Sequence, residues 1–422
     1  MRRRHLLPFL SLVMLLSRAG LGLKLTTSHM FHTAKRALAS TRAGGDHWSS
    51  SAEAEAEAGD GSAEAGALLG SAHPALQRYT TAVTLSTLSL AQVPHDTLID
   101  VRSPAEYAED HIPGAINLPS LSNSERALVG TIYVQDSHFK ARRIGGALVA
   151  QNVAHHLQTE LSEKDGAWRP LLYCWRGGQR SGSFAQILTQ IGWRAAIIEG
   201  GYQSYRKQVV RTTYDIPFTA PVTLLDGFTG TAKTDLLLRL SARGVQVIDL
   251  EGLANHRGSL LGARAGGQPS QKAFEGALAA VMESLDQSRP VVIEAESSKV
   301  GDRTVPPSLW AAMKAAPRLE IVAPLAARAK YLVKTYADII ADSERLSDVL
   351  SKLKVHQSAA QVEAWQAMAS AQEMEALAAS LMGVHYDPRY ARRNTAQDSV
   401  TVGDLAEETL EALAEKLAPQ FM

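Results

Sequence analysis

The fold of this 422-residue chain is decided at Tyr173-Cys174-Trp175-Arg176-Gly177-Gly178-Gln179-Arg180-Ser181, which holds its only cysteine. The apolar run Leu171-Leu172-Tyr173 leads into it. Behind it Phe184, Ile187, Leu188 and Ile191 stand at i, i+3, i+4 and i+7, which is helical spacing. Cys174 is therefore expected at the top of a strand, on a loop with two glycines, facing a helix N-terminus. Such a loop can turn backbone N–H groups inward to hold an anion, and the helix dipole adds to that field. Arg176 and Arg180 bring full positive charge, and all three effects favour thiolate over thiol. The reading is a nucleophile, Cys174, in an anion pocket formed by Arg176, Gly177, Gly178, Gln179 and Arg180. The bland alternative is a small buried hydrophobe. It would require neither the glycines nor the arginines.

Working outward over residues 80–215, strands alternate with helices. Thr97–Val101 is the first clear strand, Ser103-Pro104 is a helix start, Leu148–Leu161 reads as a helix, and Ala195–Glu199 is a further strand before Gly200-Gly201-Tyr202. Alternation of this kind implies an α/β fold with a parallel sheet and the reactive loop at the carboxyl ends of its strands. Asp100-Val101-Arg102, Glu106-Tyr107 and His111-Ile112-Pro113-Gly114-Ala115-Ile116-Asn117-Leu118-Pro119 resemble a rhodanese domain, in which Cys174 takes the place of the persulfide-forming cysteine. Asp100 and Arg102 read best as ties between strand end and loop. The C-x5-R spacing from Cys174 to Arg180 also resembles phosphatase loops, where the arginine clamps a phosphoryl group. Those loops usually carry His before Cys, where this chain has Tyr173, and no general-acid Asp stands near the loop.

A second unit is expected over residues 216–345. Pro221–Leu225 reads as a strand, followed by Gly227-Phe228-Thr229-Gly230-Thr231-Ala232-Lys233-Thr234 and a leucine-rich helix, the context of a phosphate-binding P-loop. Gly227, Thr229 and Gly230 would shape the cradle, Lys233 would meet phosphate oxygens, and Thr234 would be available to a metal. Ala232 departs from the pattern, which has Gly there; if that position needs positive φ, a methyl costs about 1 kcal/mol. Val245–Asp249 and Val291–Glu296 are further strands ending in carboxylates. Asp249, Glu251, Glu294 and Glu296 could hold a metal, orient a nucleophile or simply cap strand ends. His256 and Arg257 could contact an anionic substrate.

Residues 346–422 read as mainly helical, with a long helix from about Ser358 to Met382 stopped by Gly383. Arg389, Arg392 and Arg393 then cluster beside Tyr386 and Tyr390, a mixture that suits RNA backbone contact and base stacking as well as it suits a solvated loop. Ser399–Val402 reads as a short strand before a closing helix, Leu405–Leu417.

One cysteine rules out intramolecular disulfides and multi-cysteine zinc sites. The 43 basic and 43 acidic side chains cancel, but residues 1–45 hold eight Lys or Arg and no acid. Without that segment 35 basic face 43 acidic side chains, so nucleic acid would have to bind a local basic patch. Arg2-Arg3-Arg4 before the apolar run Leu6–Leu16, then a basic Ser/Thr/Ala stretch, reads as a targeting presequence for a plastid or a mitochondrion. With the Ala-Glu linker after it, residues 1–75 are set apart from the fold. The apolar run is too short for a membrane span, and no stable membrane association is expected of the mature form.

Rhodanese followed by P-loop is an uncommon pairing. Together with Asn123-Ser124-Glu125-Arg126, Gly130-Thr131, Glu199-Gly200-Gly201-Tyr202, Asp249–Ser259, Glu294–Ser297 and His385-Tyr386-Asp387-Pro388-Arg389-Tyr390, it resembles the tRNA 2-selenouridine synthase family. The resemblance implies tRNA as partner, selenophosphate as selenium donor, and geranyl diphosphate as co-substrate for an S-geranylated intermediate. Cys174 would carry selenium as a selanyl-cysteine, and the P-loop would hold a diphosphate without hydrolysing it. Whether a metal takes part stays open. A sulfurtransferase or phosphatase of small molecules and a non-enzymatic nucleotide- or tRNA-binding protein are the rivals.

Overall fold

The computed structural model describes residues 81–85, 92–259, 261–390 and 398–422. The presequence and linker read over residues 1–75, with Arg392 and Arg393, lie outside them. Two five-stranded parallel sheets organise the described residues.

The first sheet contains β1 (Thr81–Val83), β2 (Thr97–Asp100), β3 (Ile116–Asn117), β4 (Pro170–Tyr173) and β5 (Ala196–Ile198), in the order β1-β5-β4-β2-β3. All four residues of β4 are buried, as a central strand covered on both faces must be. The helices of this half are α1 (Pro104–Glu109), α2 (Asn123–Gln135), α3 (His138–Gln158), α4 (Gln179–Ile191) and α5 (Gly201–Val210). Pro104 at the first turn and the Ser103–Glu106 capping box start α1, and Ser122 with Glu125 does the same for α2. The helix expected over Leu148–Leu161 is the second half of α3, which begins at His138. Gly145 and Gly146 hid its first half from periodicity. At Gly145 a Cβ would stand 3.3 Å from Val129, so the glycine marks the close crossing of α2 and α3.

The second sheet has β6 (Val222–Asp226), β7 (Gln246–Ile248), β8 (Val291–Glu294), β11 (Arg318–Val322) and β12 (Asp398–Thr401) in the order β12-β11-β6-β8-β7; a small hairpin, β9 (Lys299–Val300) and β10 (Arg303–Thr304), stands apart. The helices α6 (Lys233–Ala242), α7 (Gln271–Ser284), α8 (Pro307–Ala315) and α9 (Leu325–Thr335) connect these strands. Beyond α9 come α10 (Ser343–Ser351), α11 (Ala359–Ser370), α12 (Met374–Leu381) and α13 (Glu407–Leu417). Leu236 and Leu240 of α6 share one apolar core with Leu410, Leu413 and Leu417 of α13.

The single helix expected from Ser358 to Met382 is instead two, α11 and α12. Gln372 turns left-handed between them (φ +59°), and the wholly buried Trp365 donates its indole N–H to Ser380 Oγ at 2.9 Å across the fold-back. Gly383 does not stop α12, because a π-turn over Met382–Tyr386 carries the backbone on.

The two halves meet where α5 lies on α7. Arg206 pairs with Glu275, Tyr214 donates to Glu275 at 2.7 Å, and Lys272 reaches Glu109 at 2.5 Å. Gly276 allows the approach, since a Cβ there would sit 2.6 Å from the Tyr205 hydroxyl.

Candidate active site and phosphate loop

Strand β4 ends at Tyr173 and delivers Cys174 to the carboxyl edge of the first sheet. Gly177 (φ +63°) and Gly178 (φ +71°) bend the chain through left-handed conformations that favour glycine, and Gly178 caps the N-terminus of α4. The thiol is only 2% exposed; it lies 3.3 Å from the Arg176 carbonyl oxygen and accepts from the Ser181 hydroxyl at 3.4 Å. The turn after β5 backs the loop. Tyr202 N–H donates to the Cys174 carbonyl at 2.8 Å, Gln203 N–H to that of Trp175 at 3.1 Å, and a Cβ at Gly201 would collide with the Cys174 carbonyl oxygen at 2.3 Å. Trp175 stacks on Tyr202, its ring centroid 5.4 Å away.

The two arginines of the loop go different ways. Arg176 and Gln179 are exposed. Arg180 does not point at an open anion pocket; its guanidinium donates to both oxygens of Glu106 at 2.9 and 3.2 Å. Burial pushes the Glu106 carboxyl up, but the Arg180 hydrogen bonds and charge outweigh it and hold it down at about 2. Beneath the loop the buried Arg102 binds Asp100 through two nitrogens, donates to the Asp110 carbonyl at 2.6 Å and lies 4.1 Å from the Tyr202 ring centroid. Asp100 and Arg102 thus tie the end of β2 to Asp110 at the end of α1.

In the second half β6 runs into the P-loop. Gly227 (φ +143°) and Gly230 (φ +84°) turn the chain, and Ala232 (φ +58°, ψ +30°) holds the left-handed position where a glycine would be unstrained. Its methyl is 4% exposed, inside the α6 core. Lys233 Nζ donates to the carbonyls of Gly227 and Phe228 at 2.9 and 3.4 Å, and the Thr234 hydroxyl to Glu251 at 2.9 Å. Thr229 lines a narrow apolar cavity of about 70 Å³ walled by Leu332, Tyr336, Leu377 and Leu381.

The strand-end carboxylates sort by position. Asp249 is an N-cap, accepting from Gly252 N–H at 2.6 Å. Glu294 accepts from Leu250 N–H at 3.0 Å and is pushed well above the carboxylate range by burial and by Asp249. Glu251 and Glu296 converge on Gly258, where a Cβ would be 2.6 Å from an oxygen of each. Burial first, then the Glu296 charge, raises Glu251 to about 7. His256 is buried, with its ring pushed toward the neutral form by that burial. Arg257 turns to Asp338 at 2.7 Å and stacks on Tyr336. Among the described residues no group of three or more His, Cys, Asp or Glu is placed to hold a metal ion, and no helix is long and apolar enough to cross a membrane.

Sequence reasoning passed over Arg328. Only 5% exposed, it donates to Asp387 at 3.0 and 2.7 Å and to the Thr229 carbonyl at 3.2 Å, tying the P-loop to the His385–Tyr390 segment. The Arg389 guanidinium, read as either an RNA contact or part of a solvated loop, hydrogen-bonds the His385 carbonyl of its own turn.

Comparisons with known proteins place both halves. Residues 85–208 match the Rhodanese-like domain family, and residues 220–348 match the tRNA 2-selenouridine synthase AAA domain family. A tRNA 2-selenouridine synthase of Chromohalobacter salexigens is 32% identical over 73% of this chain and 91% of its own length. Those of Nitrosomonas europaea and Shewanella halifaxensis are both 36% identical, over 60% and 57% of this chain and 66% and 65% of theirs, so the chain spans just under two thirds of those relatives. These relatives are bacterial, which overturns the plastid or mitochondrial address read from residues 1–75. A rhodanese-like sheet with its cysteine loop, a P-loop sheet behind it and a relative matched over nine tenths of its length leave one assignment: the chain belongs to the tRNA 2-selenouridine synthase family.

Proposed function

We propose that this protein is a selenotransferase that replaces sulfur by selenium at the wobble 2-thiouridine of tRNA, with selenophosphate as donor and an S-geranylated nucleoside as intermediate. The observation that carries the reading is the presence, in one compact unit, of a cysteine loop at one sheet edge and a phosphate loop at the other. Alkylation of the thione sulfur by an allylic diphosphate turns a poor leaving group into a thiolate that selenium can displace. That sequence needs a diphosphate site and a separate chalcogen-handling site. The P-loop residues Gly227, Thr229, Gly230, Lys233 and Thr234 suit the diphosphate. Cys174 is the selenium-handling residue, and loop amides with Arg176 bind the anionic donor. Basic and aromatic side chains from Tyr386 to Arg393 serve the tRNA.

The phosphatase reading of the C-x5-R spacing is weakened because Arg180 is committed to Glu106. Mass spectrometry of tRNA nucleosides after incubation with selenophosphate, with and without geranyl diphosphate, tests the proposal. Selenouridine formed only when both are supplied is the expected outcome; unchanged 2-thiouridine under every condition overturns it.

A further inference from the structure

A second cavity, about 400 Å³, opens where the carboxyl ends of β6 and β8 and the first half of β11 meet α8. It borders the P-loop at Gly227 and Phe228 and shares no residue with the apolar cavity at Thr229. Its volume falls in the range of small-molecule sites. The charge of its walls argues against a phosphate. The walls hold three carboxylates, Asp226, Glu296 and Glu320, against two cations, Arg318 and the exposed Lys314, and Arg318 pairs with Asp226 at 2.7 Å. An anion would be repelled here and drawn to Lys233 instead. The walls favour a flat, neutral ligand with N–H groups to donate: Trp310 and Phe228 supply aromatic surface, while the carboxylates and the hydroxyls of Ser297 and Ser298 supply acceptors. Glu296 belongs both to this cavity and to the carboxylate pair at Gly258, so the cavity and the phosphate loop share a wall.

We infer that this cavity receives the base of a single pyrimidine nucleotide swung out of its RNA stack, and so seats the acceptor nucleoside beside the ligand on the P-loop. Enzymes that act on a base take it out of the stack and hold it between aromatic side chains, reading its pairing edge by hydrogen bonds. A uracil-type base offers one imino N–H on that edge, which carboxylate or hydroxyl oxygens can accept. This inference rests on the tRNA reading above and names the place where that substrate enters.

The test is photocrosslinking of the full-length protein to a tRNA anticodon hairpin carrying 4-thiouridine at the wobble position, in the presence of inorganic pyrophosphate, with the crosslinked peptides identified by mass spectrometry. Crosslinks are expected in the peptides holding Trp310 or Ser297-Ser298. Two variants complete it. Trp310→Leu removes a stacking ring, and Ser298→Trp fills the cavity from an exposed position. Each should raise the KM for tRNA in the alkylation step by about tenfold or more, the scale of one lost base stack, and leave pyrophosphate binding unchanged. Normal tRNA modification by both variants, with crosslinks confined to the Cys174 loop, overturns the cavity assignment and leaves the tRNA reading standing. Failure of the unaltered protein to modify tRNA at all overturns that reading, and this inference with it.

Discussion

Arg180 and Glu106 face each other across 74 residues of sequence in a two-pronged ion pair that closes the Cys174 loop onto α1. Because the Glu106 carboxyl is held down at about 2, its stabilising contribution is complete above the ordinary 4.5 and fades only as pH falls through 2. The pair therefore does not titrate in any working buffer. Glu106→Ala should cost about 2 kcal/mol, since it strands a half-buried guanidinium, and should cut donor-dependent selenation at least tenfold. Thermal unfolding and nucleoside analysis check the two effects.

Cys174→Ser keeps a small side chain in a buried position with a carbonyl acceptor 3.3 Å away, so stability should change by only about 1 kcal/mol. Selenation should vanish while S-geranylated nucleoside accumulates, because the phosphate loop is untouched. Full selenation by the serine variant would sink the role given to the thiol.

Asp387→Ala leaves Arg328 charged and buried beneath the P-loop, a change that costs about 3–5 kcal/mol in comparable buried pairs. Loss of the Arg328 tether at Thr229 should also weaken pyrophosphate binding. Calorimetric titration against the wild-type protein measures it.

At Ala232 two effects oppose one another. Glycine would relieve about 1 kcal/mol of left-handed strain, but it removes a buried methyl worth about 0.8 kcal/mol and loosens the unfolded chain. Ala232→Gly is therefore expected to move the denaturation midpoint very little, and pyrophosphate affinity should be kept. A large loss of stability would show that the methyl's packing outweighs the strain.

Glu251 titrates in the opposite sense to Glu106. Its carboxyl is raised to about 7 in the folded protein, so the stability it contributes is complete below about 4.5 and is lost as pH rises through 7. In metal-free buffer Glu251→Gln should flatten the fall in stability between pH 5 and 8 and make the protein more stable than wild type at pH 8, by on the order of 1–3 kcal/mol. Denaturant unfolding across that range provides the readout.

What the sequence made legible was local. A buried apolar run, two glycines needing positive φ and a 3.6-residue periodicity placed Cys174, and the same signals placed the P-loop. Illegible parts were those decided at long range. Helix α2 has no fully buried side chain and meets the core through the partly buried Val129, so it shows no amphipathic stripe. The break between α11 and α12 depends on Gln372 adopting a conformation its residue type does not announce. Arg180 looked like an anion binder because its partner lies 74 positions away, and Arg328 drew no reading because Asp387 lies 59 positions away. Pairing distances of that size leave no periodic trace.

Strand β12 enters the second sheet about 170 residues after β6 has left the ribosome, and α13 follows it. The first sheet, complete by β5, can fold while synthesis continues. The second must wait with β11 as an open edge and the leucines of α6 uncovered, which is the kind of surface that pairs with other chains. Residues 398–422 thus act as a late closing seal. Chains halted before them would be sent to chaperones or aggregate with an intact cysteine loop, and expression yield would depend on the C-terminal segment more than on either ligand-binding loop.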